Sequence, residues 1–310
     1  MKLSHPIFVT SISVLLAACG GGGEDVASLP KPPTGQGNAT LAELRVSQDF
    51  TAYYAQANYS LSRATGAASG KSSVQAPTEV RYDAASQSYT LVGTTMGTTI
   101  FRPADKLGDT AATTGYRKIA GNTQEDFVLF RPGAANPDMA LTYASYGAWQ
   151  KIVDKGTDLD VSTAFFTYGV TTSPSDMPKS GSATYQTRID GQYADGTGAY
   201  VLSGASSFAA NFAAGTVRFE MSPTGQHVVD GRTKVFGNLQ LDGIIKTPNQ
   251  FYKGNEFEAS SDLNAAYSAD LHGFFYGPGA SEMGGAFTLR QGLGNPEIGN
   301  GSGAVVGRKN

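Results

Sequence analysis

The chain has 310 residues, with 23 Lys and Arg against 26 Asp and Glu, so no strong charge draws it to a nucleic acid. Its 39 Gly, 15 Tyr and 16 Phe against one Trp favour short strands and tight turns over helices. A single cysteine excludes an internal disulfide, and the length accommodates one large or two modest cores.

Residues 1–18 place one positive charge, Lys2, before an apolar run of Ile7, Phe8, Val9, Ile12, Val14, Leu15 and Leu16. This is the layout of a secretory signal peptide, too short to span a bilayer. Leu16, Ala17, Ala18, Cys19 and Gly20 follow, with the one cysteine where the apolar run ends. The segment resembles the lipobox of bacterial lipoproteins. That resemblance implies a lipidated Cys19 as the mature N-terminus, carrying acyl chains such as palmitate, and Gly20 in place of Asp implies outer-membrane sorting. Such chains anchor by burying CH₂ groups at roughly 0.8 kcal/mol each. Residues 19–38 read as a Gly/Pro-rich tether (Gly20 to Gly23, Pro30, Pro32, Pro33, Gly35, Gly37) that holds a folded body off the membrane.

Residues 39–173 read as a β-rich domain. Val80 to Tyr82 and Tyr89 to Val92 flank a polar loop and predict a hairpin; strands follow over Asp126 to Phe130, Leu141 to Trp149 and Ala164 to Tyr168. Trp149 is expected in the core. Thr171 to Asp176, polar and proline-containing, marks a boundary.

Residues 174–292 carry a cleaner period of two. Ala183, Tyr185, Thr187 and Ile189 alternate with polar partners, and Asp195 and Gly196 turn the chain into Gly198 to Leu202. Phe208, Ala210 and Phe212 are answered by Val217, Phe219 and Met221; Val235, Gly237, Leu239 and Leu241 continue the pattern. The last pair is Leu271 to Tyr276 with Gly284 to Leu289, turned through Gly277, Pro278 and Gly279. The spacing predicts an all-β chain, with an antiparallel meander closing into a small eight-stranded β-barrel. Residues 293–310 are expected as a flexible tail.

Two segments resemble a known family. Met177 to Tyr185 (MPKSGSATY) is similar to the opening of the barrel domain of the transferrin-binding protein B family. Gly273 to Phe287 (GFFYGPGASEMGGAF) resembles its closing hairpin, also found in neisserial surface lipoproteins such as the heparin-binding antigen. Leu141 to Trp149 is similar, less specifically, to a strand of the family's "handle" domain, so 39–173 is expected to be handle-like. The resemblance implies a surface binding module; the family's ligands range over transferrin, haem, haem proteins, complement regulator and polyanions. This chain has one handle and one barrel where transferrin-binding protein B has two. Within the closing hairpin, Gly273, Phe275, Tyr276, Gly277, Pro278, Glu282, Gly284, Gly285 and Phe287 read as a structural motif. Glu282 is expected to accept backbone N–H bonds inside the turn.

Catalytic constellations are not evident. Of three histidines, His5 falls in the signal, and His227 and His272 lack ligand partners at metal spacing. Gly204 to Ser207 lacks the last glycine of a nucleophile elbow, and Asp154, Asp158 and Asp160 miss the order of a calcium loop. The chain is therefore read as no enzyme, with no metal and no resident cofactor. Haem remains a candidate ligand because its iron accepts His or Tyr. The candidate tips are Ser222 to Gly231, with His227, and Thr247 to Gly254, with Phe251 and Tyr252. The expected role is capture of an iron source (haem, a haem protein or an iron-carrier protein) at the cell surface, with a TonB-dependent outer-membrane receptor as a second partner. The alternative is an adhesin or host-factor-binding lipoprotein without transport. A lipocalin-like carrier ranks last, because the many interior aromatics fill such a barrel.

Overall fold

The computed structural model describes residues 37–93, 95–292 and 298–310; the signal-peptide segment, Cys19 and nearly all of the tether lie outside the described residues. The N-terminal half consists of β1 (Gln48–Ser62), β2 (Ala68–Asp83), β3 (Ser88–Gly93), β4 (Gly97–Phe101), β5 (Lys106–Asp109), β6 (Thr113–Ala120), β7 (Thr123–Phe130), β8 (Ala144–Asp154) and β9 (Asp158–Gly169). They pair as one antiparallel sheet in the order β4-β3-β2-β1-β9-β8-β7-β6-β5. The sheet curls because one face is aromatic: Phe50, Tyr54, Phe101, Phe127, Trp149 and Phe166 gather inside it. Curling brings the ends together, so that Lys118 Nζ on β6 donates to the Ile100 carbonyl on β4 (2.9 Å).

The C-terminal half follows as β10 (Ser182–Asp195), β11 (Gly198–Asn211), β12 (Thr216–His227), β13 (Thr233–Val235), β14 (Leu239–Ile245), β15 (Glu256–Ser260), β16 (Tyr267–Tyr276), β17 (Glu282–Gln291) and β18 (Gly299–Lys309). Eight of these make a closed antiparallel ring, β11-β10-β18-β17-β16-β15-β14-β12, sealed by the pairing of β11 with β12; β13 is a short addition on β12. Odd residues of β10 (Ala183, Tyr185, Ile189, Tyr193) point inward, joined by Phe208, Phe219, Phe257, Phe275 and Phe287. An eight-stranded ring is just wide enough for its own side chains. This one is filled by them.

Two expectations change. Residues 299–309, expected in a flexible tail, form β18 and hydrogen-bond to both β10 and β17. Glycines there let neighbours approach closely: a Cβ on Gly303 stands 2.3 Å from the Phe287 ring. The Gly-rich composition suggests a loop, but here it buries a strand. Second, Val235 and Leu239 do not share one strand. Gly237 takes a φ of 77°, which breaks the run, and Phe236 turns into the core.

The outer wall of β10, β18, β17 and β16 packs on β1, β2, β8 and β9. Tyr59, Leu61, Leu159 and Val161 meet Ala194 and Ala199; Phe130, Leu141, Tyr146 and Phe165 meet Ala304 and Val306; Ala144 meets Phe274 and Tyr276. Polar bonds cross between these patches, from Gln75 Nε2 to the Ala286 carbonyl (2.6 Å) and from Ser302 Oγ to the Thr163 carbonyl (3.1 Å). Both halves thus lie along a common axis and share two ends. The linker end holds residues 37–47, the 170–181 connection and the 246–255 loop, since Tyr53 near the start of β1 reaches Glu256. The far end holds the 63–67 and 155–157 turns, the 196–197 turn, residues 228–238 and 261–266, and Ile298.

Candidate functional site

His227 closes β12 opposite Tyr200 and is buried. Its Nδ1 lies 2.7 Å from Asp230 Oδ1 and its Nε2 3.2 Å from the Arg232 guanidinium, with the ring 5.1 Å from that of Tyr200. A Cβ on Gly198 stands 2.2 Å from Nε2, so the adjacent turn sits directly on the imidazole. Both ring nitrogens are engaged and covered, which leaves no axial position for haem iron. Residues 222–227, expected in an exposed tip, continue the strand, because Gly225 lets Tyr200 and Phe236 pack against its backbone.

Phe251 and Tyr252 lie at the linker end, at the opposite end of the barrel from His227. Asn249 Oδ1 accepts the N–H groups of Phe251 (2.7 Å) and Tyr252 (3.0 Å), a turn that throws Phe251 outward at 77% exposure. Tyr252 is half-buried under Lys246, whose Nζ lies 5.0 Å from the ring centre and pairs with Glu258. Beneath, Tyr53 donates to Glu256 (3.3 Å) and its ring stands 5.2 Å from Phe274 and 5.3 Å from His272. Burial lifts the Glu256 carboxyl above its ordinary range despite the Tyr53 bond, and burial also holds the His272 imidazole below its own.

The far end carries a different surface. Val229, Val235, Leu263 and Ile298 stand 58, 70, 55 and 49% exposed on three separate connections. Several charged groups at this end are paired: Arg232 with Asp230 (2.7 Å), Lys234 with Asp195 (2.5 Å) and Arg63 with Asp154 (2.7 Å), while Asp262 beside Leu263 accepts from Asn264. Exposed aliphatics on neighbouring connections with several paired charges give this end an apolar character. Val229 falls within a tip expected from sequence, whereas Val235, Leu263 and Ile298 do not. The available signal was a lone aliphatic between polar neighbours, as in Asp262, Leu263 and Asn264.

The closing hairpin joins the two halves. Phe275 and Phe287 face the barrel interior, while Tyr276 and Glu282 face the other half. Gly277 and Gly279 flank Pro278 at φ of 69° and 59°, conformations that favour glycine. Gly273 and Gly285 sit opposite each other, and a Cβ on Gly273 stands 2.2 Å from the Gly284 carbonyl oxygen. Gly284 packs against Thr167. Glu282 does not bond within its own turn. It accepts the backbone N–H groups of Thr142 (2.6 Å), Tyr143 (2.8 Å) and Ala144 (2.7 Å), because β17 directs it outward where β8 begins. Among the described residues, no group of three or more His, Cys, Asp or Glu stands together as a metal site.

Residues 177–308 match the family described as the C-lobe and N-lobe beta barrels of Tf-binding protein B. Among solved structures, a double mutant of transferrin-binding protein B from Haemophilus parasuis Hp5 is 11% identical, over 85% of this chain and 76% of its own, at a TM-score of 0.44. Intact Ap-TbpB, with N and C lobes, is 13% identical over 88% and 79%, at 0.43. The isotype 1 protein from serogroup B Neisseria meningitidis is 17% identical over 82% and 43%, at 0.41. No curated protein matches. The family match thus covers the C-terminal barrel, residues 177–308 of the 310.

Proposed function

We propose that the protein is a lipoprotein of the outer membrane, anchored through Cys19 and displayed at the cell surface, whose far end captures an extracellular iron-carrier protein. A TonB-dependent receptor is the partner to which such cargo passes. One observation carries the reading: the chain enters the folded body at the linker end, where Asn38 bonds to Gln48, so the exposed aliphatics stand at the opposite end. A tether attached there turns the far end outward. Rigid strands hold those tips in place, which lowers the ordering cost of binding. The match of residues 177–308 to a barrel family described from Tf-binding protein B supports a protein ligand. Capture of haem through His227 has no support in the geometry, since both ring nitrogens are engaged.

The test is binding of the purified protein to immobilised transferrin and lactoferrin, with serum albumin as the control. We expect one iron carrier to be held, Val235→Asp with Leu263→Asp to weaken it by about tenfold or more, and Phe251→Ala to leave it unchanged. Binding to neither carrier, or loss with Phe251→Ala alone, overturns the assignment. Lipidation is read separately by mass spectrometry of the N-terminal peptide from cells.

A further inference from the structure

At the far mouth of the barrel, four rings enclose a charged pair. Tyr193 stands 4.8 Å from Phe236, 6.4 Å from Tyr200 and 6.1 Å from Tyr267, and Phe236 stands 5.0 Å from Tyr267. Into this group β13 inserts Lys234. Its Nζ lies 5.6, 5.7 and 6.0 Å from the ring centres of Tyr193, Tyr200 and Phe236, and 2.5 Å from Asp195 Oδ2. Asp195 is buried, and its other oxygen accepts the Thr197 N–H (2.8 Å) and hydroxyl (2.5 Å). Aromatic faces around a buried carboxylate are the chemistry that recognises an ammonium group.

We propose that Tyr193, Tyr200, Phe236 and Asp195 form an ammonium-binding cage whose resident ligand is the chain's own Lys234, so that residues 228–238 are a strap latched to the barrel mouth by an exchangeable cation. The class of ligand that competes is a primary alkylammonium.

The second half of the strap is held by its short pairing with β12, by the Phe236 N–H bond to the Pro223 carbonyl (3.2 Å) and by Phe236, which fills the mouth beside Lys234 and so joins strap to cage. β13 is three residues long, and Thr233 and Val235 on either side of Lys234 are exposed. Its first half is tied separately, by the His227, Asp230 and Arg232 contacts and by the Arg232 bond to the Thr197 carbonyl. Burial disfavours the Lys234 charge, yet Asp195, together with Tyr267, outweighs it and keeps the pKa of the ammonium above its ordinary range. Val229 and Val235 ride on the same strap, so the cage sets where they stand. The latch itself rests on this geometry and not on the far end docking a protein.

The test is hydrogen–deuterium exchange of the purified protein, read across residues 228–238. Lys234→Ala is expected to speed exchange there by about tenfold or more while the β16 and β17 amides are unchanged. Millimolar ethylammonium chloride then restores the slow exchange in Lys234→Ala but not in Lys234→Ala with Asp195→Asn, and sodium chloride does neither. Lys234→Met keeps the stem and removes only the charge, so it reports on the latch if the alanine variant folds poorly. Unchanged strap exchange in Lys234→Met, or no ethylammonium effect on a folded Lys234→Ala, overturns the proposal.

Discussion

At the residue scale, Glu282 is the clearest case of a side chain whose role is set by what lies across an interface. One carboxylate satisfies three backbone N–H groups at the start of β8, and an unmet buried donor costs about 1–3 kcal/mol. Glu282→Ala is therefore expected to lose about 3 kcal/mol or more in urea unfolding. Asn300 is the counterexample: it is fully buried, yet neither side-chain amide atom has a hydrogen-bond partner among the described residues. Asn300→Ala should change stability by less than about 1 kcal/mol, since the folded state loses no hydrogen bond. His272 provides a pH signature. Burial and Lys246 hold its pKa below 6.5 against Glu258 and Asp270. The unfolded chain then binds the proton more tightly, so this group's contribution to stability falls as pH drops below about 6.5. The buried carboxyls of Glu256 and Glu282 are raised and act in the opposite sense, favouring the folded state as acid is added. Melting temperatures at pH 7.5 and 5.5 should differ less, or reverse in order, in His272→Gln.

At the scale of elements, β18 decides whether the barrel exists as a closed object. It is the neighbour of both β10 and β17, and without it two full edges are exposed to self-association. A chain ending at residue 298 is expected to aggregate on size exclusion, where the full chain elutes as a discrete species. Most strands were legible from a two-residue period: β10, β11, β12, β16 and β17 fall where Tyr185, Phe208, Phe219, Phe275 and Phe287 mark an inner face. β18 was not, because Gly299, Gly301, Gly303 and Gly307 leave Val305 as the one apolar core side chain on that face. Glycine there serves close approach, and its need depends on the partner strand. The same logic predicts that Gly273→Ala, whose Cβ stands 2.2 Å from the Gly284 carbonyl oxygen, costs about 1–3 kcal/mol by forcing β16 and β17 apart.

At the scale of the whole molecule, the two halves share apolar patches, polar bonds and the Glu282 clamp along their length. Calorimetry should accordingly show one cooperative transition, with the Glu282→Ala variant the first to separate into two. Composition alone excluded a disulfide-stapled or strongly charged protein, and alternation alone called for an aromatic-filled barrel, since both depend only on residues near in sequence. Tertiary structure decided the rest. It buried His227, turned Phe251 outward at the linker end, and gathered Val229, Val235, Leu263 and Ile298 at the far end. Those outcomes depend on which strand ends meet in space, and a local pattern of residues carries no record of that.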